Sequence, residues 1–200
     1  MADRVFQHPA DNRHTGVDAT FPKNQSLDAA ALRRAFGVFP TGVVSVAARV
    51  DGRLLGLAVS SFTSVSLDPP LVCVSIGNSS RTWLDLRRAA RLGITVLADH
   101  QGDLARQLSG PAQHRFDEVD IASSAYGAVI ITDGLAHFET SLYREVEAGD
   151  HTIALLRIHA IADADTASPL VFHRSTFHRL AGDRPVSHCA TSASPRLGRV

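Results

Sequence analysis

The chain has 200 residues, of which 44 % are hydrophobic, and its 20 Lys and Arg balance 20 Asp and Glu. This composition fits one globular domain with a real core and excludes a disordered chain; zero formal charge without a clustered basic surface argues against a nucleic-acid partner. No run of about 18 apolar residues is available to span a membrane, and the two cysteines, Cys73 and Cys189, make neither a disulfide framework nor a zinc set, which fits a reducing, cytoplasmic setting.

Residues 1–25 read as a flexible polar leader, 26–180 as one folded domain and 181–200 as a loose tail. A helix is predicted from Ser26, which can cap it, with Asp28 in its first turn. Leu32, Ala35, Phe36 and Phe39 share one apolar face, and Pro40 stops the helix. Val43 to Val50 and Arg53 to Ser60 read as two strands around an Asp51-Gly52 hairpin turn. Phe62 to Ser66 continues extended, Asp68-Pro69-Pro70 breaks it, and Leu71 to Ile76 is a short buried strand. Gly77-Asn78-Ser79-Ser80 is a loop whose hydroxyls can cap a helix from Arg81 to about Ala90. Its Arg87, Arg88 and Arg91 are interspersed with Asp85 and read as a solvated face.

Gly93 to Ala98 is a further strand and Gly102 to Leu108 a short helix. Residues 109–133 read as loop and irregular segments, punctuated by Gly110-Pro111. Two long strands follow, Gly134 to Glu147 and His151 to Ala162, with Gly149-Asp150 between them, and Pro169 to His173 closes the series. Many strands joined by short turns, with helices outside, predict a mostly β fold with peripheral helices, closed into a barrel.

Several chemistries are excluded. The single lysine, Lys23, lies in the leader, so no GxxxxGK[ST] loop exists. GxGxxG and GxSxG are absent as well. The histidines are scattered without HExxH or HxH spacing, and His173 and His178 read as surface residues. Asp117 and Glu118 sit in a polar loop with no apolar pocket to separate their pKa values.

Three segments place hydroxyls and exposed backbone beside apolar strands. Ser60-Ser61-Phe62-Thr63-Ser64-Val65-Ser66 reads either as an edge strand with a polar face or as a low-bulk strand that lets a planar heterocycle reach its amides. Ser79-Ser80-Arg81-Thr82 reads as a helix cap or as a phosphate site. Gly149-Asp150-His151-Thr152 is a turn whose histidine is either incidental or faces a ligand.

In their order and spacing these segments resemble the flavin reductase family with the FMN-binding split-barrel fold, the small reductase components of two-component flavin monooxygenases. The resemblance covers about residues 27–180. It runs through Phe36-Gly37-Val38-Phe39-Pro40-Thr41-Gly42-Val43, the stretch from Ser61 to Val72, Ser79-Ser80-Arg81-Thr82, Gly149-Asp150-His151-Thr152-Ile153 and Pro169-Leu170-Val171-Phe172. It implies a split β-barrel homodimer that transfers hydride from NADH or NADPH to FMN or FAD and supplies a flavin-dependent monooxygenase. Carried over by position, Gly56, Leu57 and Ala58 line the cofactor, while Ser60, Ser61, Phe62 and Thr63 hold its ring. Ser75 and Ile76 lie close by, Ser80, Arg81 and Thr82 face the phosphate, and Gln107 and Leu108 approach the ring edge. His151, Phe172 and Phe177 fall at the nicotinamide, with His151 orienting it. The chain departs from the family at Ser60 or its neighbour, where Asn is common, and at Ser175-Thr176-Phe177, where the family often has Gly-x-Tyr. Two other readings use the same residues: a flavin enzyme acting directly on an organic substrate, and a non-catalytic flavin or ligand carrier.

Overall fold

Asp28 opens the first helix, α1 (Ala29–Phe36), its carboxylate accepting from the Ala31 amide at 2.8 Å. The computed structural model describes residues 27–163 and 167–180, so the expected cap Ser26, the leader over 1–25 and the tail over 181–200 lie outside it. The periodic apolar face of α1 does not enter the core. Leu32 is half-buried, and Phe36 and Phe39 are 70 % and 74 % exposed.

After β1 (Thr41–Gly42), strands β2 (Val44–Val50) and β3 (Arg53–Val59) form the expected hairpin. Asp51 and Gly52 both take positive φ, 49° and 76°, the turn geometry that matches the twist of paired strands. β4 (Thr63–Leu67) and β5 (Pro70–Gly77) follow, then α2 (Arg81–Leu86), β6 (Leu92–Val96) and α3 (Gly102–Leu108). α2 ends four residues before the expected Ala90. The segment 109–133, read as irregular, contains a 3-10 turn (Ala112–His114) and the pair β7 (Ile121–Ser123) and β8 (Val129–Ile131). The long strands are β9 (Ala136–Ala148) and β10 (His151–Asp163). The last expected strand starts at Val171 as β11 (Val171–His173), and a further strand, β12 (Thr176–His178), pairs with it.

Seven strands make one antiparallel sheet in the order β3-β2-β6-β9-β10-β5-β4. It curls so that alternate residues meet inside. Val44, Val46, Leu57, Val74, Ile94 and Leu156 are buried in this interior, with Phe62 and Phe138 packed against them. Each such aliphatic side chain contributes about 1.5–3 kcal/mol on burial. Trp83 and Leu86 of α2 join the same core, and the Trp83 indole N–H donates to the Glu145 carboxylate at 2.8 Å, fixing α2 against β9.

A second core lies on the outer face of β2 and β3. Val43, Leu97, Ala105, Leu108, Ile131 and Leu170 are buried there, joined by Ala58, Phe116, Phe172 and Phe177. It fastens α3, the 109–133 segment and the β11–β12 hairpin to the sheet. Gly56 permits this packing, because a Cβ there would stand 2.5 Å from the Phe116 ring and 2.9 Å from Ala47 Cβ. Among the described residues no helix is long and apolar enough to cross a membrane.

Candidate functional site

β3 and β5 are not neighbours in the hydrogen-bonded ladder, which leaves a seam in the curled sheet. The chain crosses that seam at Ser60-Ser61-Phe62. Phe62 turns inward, its ring 5.8 Å from that of Phe138. Ser61 closes the seam with its side chain. Its hydroxyl donates to the Ser75 carbonyl and accepts from the Ser75 amide, both at 2.9 Å. One hydroxyl thus replaces a backbone bridge, and the strand ends stay apart on either side of it.

That gap is a groove of about 260 Å³. Leu57, Ala58 and Val59 of β3 form one wall, and Ser75, Ile76 and Gly77 of β5 the other. Ser80 stands at one end, Leu108 and Ser109 at another, and Arg115 completes the lining. The lining is rich in small residues, so a flat ring can approach both backbones. Nine residues proposed from sequence meet at the groove and its extension: Leu57, Ala58, Ser60, Ser75, Ile76, Ser80, Leu108, Phe172 and Phe177.

Arg115 is the cation of this groove, and it was not singled out in the sequence. Its Nε donates to the Gly110 carbonyl at 2.9 Å, and its Nη1 donates to the Gly56 carbonyl at 2.8 Å and the Thr82 hydroxyl at 3.0 Å. All three acceptors are neutral. Burial lowers its pKa from the ordinary guanidinium value, but an arginine remains charged. Its only sequence signal was a lone Arg-Phe pair in a polar loop; the contact with Gly56 spans 59 residues.

A second pocket of about 110 Å³ continues the groove, sharing Ala58, Val59 and Ser109 with it. Ser60, Phe172 and Phe177 line this end. The two rings are tilted by 52° with centroids 5.3 Å apart, and the Arg106 guanidinium lies 5.1 Å from the Phe177 centroid. One end of the groove is therefore polar and cationic, and the other aromatic.

His151 begins β10 opposite Gly77 of the groove wall. Its Nε2 lies 3.8 Å from where a Gly77 Cβ would stand, and its Nδ1 is 2.7 Å from Asp150 Oδ1. The hydrogen bond from His151, and then its charge, hold the Asp150 carboxyl below its ordinary value. Asn78 ties this turn to the loop before α2. Its amide group donates to the Gly149 carbonyl at 3.1 Å, and its backbone N–H to the Asp150 carbonyl at 2.9 Å.

The remaining sequence candidates are placed differently. Gly56 is buried and offers only its carbonyl, to Arg115. Thr63 pairs with Cys73 and is exposed. Arg81 is exposed and does not border the groove, and Thr82 serves as an acceptor for Arg115. The Gln107 amide turns away to the carbonyls of His114, Arg115 and Asp117, holding the loop that delivers Arg115. α2 is only six residues long, and Ser80 spends its hydroxyl on the Trp83 amide at 3.3 Å.

A curled antiparallel sheet, opened along one seam into a groove, defines a split β-barrel of the FMN-binding type. Residues 36–181 match the family described as the flavin reductase like domain. The chain belongs to that family. It is 40 % identical over 177 residues to a probable flavin reductase of Rhizobium meliloti, covering 87 % of this chain but only 56 % of that protein's length. It is 30 % identical over 162 residues to the flavin-dependent monooxygenase reductase subunit HsaB of Rhodococcus jostii, covering 81 % and 83 % of the two chains. Among solved structures, the Streptomyces globisporus NADH:FAD oxidoreductase SgcE6, in complex with NAD and FAD fragments, superposes with a TM-score of 0.74 at 34 % identity. That match covers 79 % of this chain and 96 % of SgcE6.

Proposed function

We propose that this protein is an NAD(P)H-dependent flavin reductase whose reduced flavin serves a partner monooxygenase. The observation that carries this reading is the two-ended groove, with Ser80 and Arg115 at the polar end and Phe172 and Phe177 at the aromatic end, meeting at Ala58, Val59 and Ser109. The donor set fits a flavin: low-bulk walls for a planar ring and a cation with neutral partners for its phosphate. The reductase names of HsaB and SgcE6 support the same activity and the two-component arrangement.

Bound flavin would supply the hydride-accepting chemistry. The protein's part is placement. The backbones of β3 and β5 hold the ring, Ser61 keeps their separation fixed, and Arg115 anchors the phosphate. Phe172 and Phe177 present a flat apolar surface to the nicotinamide, and His151, beside Gly77 in the β5 wall, orients the dinucleotide that carries it. No acid–base residue is needed for a hydride to pass between two stacked rings.

The functional unit is a homodimer. α1 contains no buried residue, yet it carries an apolar face, and its last residue Phe36, with Val38 and Phe39 just after it, is more than half exposed. A second copy of the chain would cover them. Light scattering should give twice the chain mass; a monomer with flavin present would remove this part. The sparse cysteines support a cytoplasmic setting.

Steady-state oxidation of NADH or NADPH with added FMN or FAD tests the activity. Oxidation that requires both protein and free flavin supports a reductase. Flavin binding without nicotinamide oxidation would leave the carrier or direct-acting enzyme.

A further inference from the structure

We propose that Arg33, Arg34 and Arg174 hold the 2′-phosphate of the reductant and make this protein selective for NADPH over NADH. The inference rests on the reductase reading above and deepens it. The three arginines border one open cavity of about 400 Å³, completed by Gly37, Val38 and Ser175. Arg33 and Arg34 stand in the last turn of α1, and Arg174 and Ser175 turn the β11–β12 hairpin. The Arg174 amide donates to the Gly37 carbonyl at 2.9 Å, which fastens this turn to the end of the helix and fixes where the three side chains start. Phe36 and Phe39, which a second copy would cover, do not border the cavity.

Charge gathers there without a counter-charge. Arg53, Arg87, Arg88, Arg106 and Arg179 each pair with a carboxylate, whereas Arg33, Arg34 and Arg174 pair with none among the described residues. The dipole at the C-terminus of α1 supplies about half an elementary charge, too little to neutralise three cations. A phosphate monoester brings about two negative charges and three acceptor oxygens, and guanidiniums match it in geometry as well as in sign.

The position of the cavity selects which phosphate it takes. Phe172 and Phe177, which receive the nicotinamide, stand two residues to either side of the Arg174-Ser175 turn, about 7 Å along each strand. The ribose–pyrophosphate–ribose chain of a dinucleotide spans that distance and carries the 2′-phosphate at its far end. The field of Arg33 also reaches the turn before β10. After the hydrogen bond and the charge of His151, the Arg33 charge helps to hold the Asp150 carboxyl low. Arg33 is therefore on the side of the groove where His151 orients the dinucleotide.

The test compares NADPH with NADH, which differ only by the 2′-phosphate, in steady-state oxidation with FMN. Wild-type protein should show a KM for NADPH about 10-fold lower at equal kcat, because a contact that hydride transfer does not change is uniform binding. All three arginines are exposed, so substituting them should leave the fold in place. Arg33→Gln, Arg34→Gln and Arg174→Gln should each raise the NADPH KM by about 2- to 5-fold and leave the NADH KM unchanged. A readout without variants is inhibition by adenosine nucleotides: 2′,5′-ADP should bind more tightly than 5′-AMP, by a margin that shrinks as salt rises. The proposal is overturned if wild-type protein uses the two reductants with equal KM, or if 2′,5′-ADP and 5′-AMP inhibit alike. It is also overturned if the variants weaken NADH and NADPH equally, which would put the pyrophosphate at these arginines. Oxidation of neither nucleotide would overturn the reductase reading itself.

Discussion

The Thr152 hydroxyl donates to the Asn78 amide oxygen at 2.9 Å, joining the start of β10 to the loop before α2. Two segments separated by 74 residues in sequence thereby hold one end of the groove. Asn78→Ala removes this bond and the one to the Gly149 carbonyl. With exposed bonds worth about 0.5–1.5 kcal/mol each, a loss of roughly 1–2 kcal/mol is expected. Urea denaturation should show it, and nicotinamide use should suffer along with it, because His151 follows that turn.

His151→Ala should leave flavin affinity nearly intact and slow reduction of the flavin. A hydride donor misplaced by about 1 Å can cost on the order of a hundredfold in rate. Anaerobic stopped-flow absorbance separates this from a structural effect, in which melting temperature and flavin affinity would fall together. Because His151 holds the Asp150 carboxyl low, the Asp150 contribution is present above the ordinary aspartate value of about 4 and is lost as pH falls through its lower folded value. In His151→Ala, a carbon NMR titration should find Asp150 shifted back up.

Ser175→Gly should stabilise the protein. Arg174 and Ser175 turn the β11–β12 hairpin with φ of 49° and 62°, a left-handed geometry that costs a residue with a Cβ about 1–2 kcal/mol. Relieving one of them should raise the melting temperature by roughly 2–4 °C, measured by calorimetry. A lower melting temperature would mean that the serine hydroxyl contributes more than the strain removes.

Stability should also fall in mild acid. Burial lowers the pKa of His137, and burial followed by the charges of Arg91 and Arg157 lowers that of His159. The unfolded chain therefore takes up protons at about pH 6.5 while the folded chain resists, so stability drops as pH falls through that value. Urea midpoints should decrease between about pH 7.5 and about pH 5.5. His137→Gln should flatten the slope; an unchanged slope would assign it to other groups.

The strands were legible because their signals are local. Asp51-Gly52 specifies its own turn, and the β-branched residues from Val43 to Val50 mark a strand, though β2 is buried on both faces and shows no alternation. Leu57, Ala58, Ser75 and Ile76 of the groove walls carry no local signal and were reached only by position through the family resemblance. Arg115 was not, since its position depends on Phe116 seating against Gly56 and on Gln107 gathering the loop. α1 failed differently. Its period was right, but an amphipathic face says only that something covers it, and within one chain nothing described does. β7 and β8 are three residues each, too short to show alternation.

The central claim is that one groove holds flavin at its cationic end and nicotinamide at its aromatic end. A crystal structure of the protein with FMN and oxidised nicotinamide dinucleotide tests it most directly. The flavin ring should lie between β3 and β5 against Ala58 and Ser75, with its phosphate at Arg115 and the nicotinamide against Phe172 and Phe177. Flavin bound elsewhere, such as the acidic cavity between Gln101 and Asp133, would contradict the account.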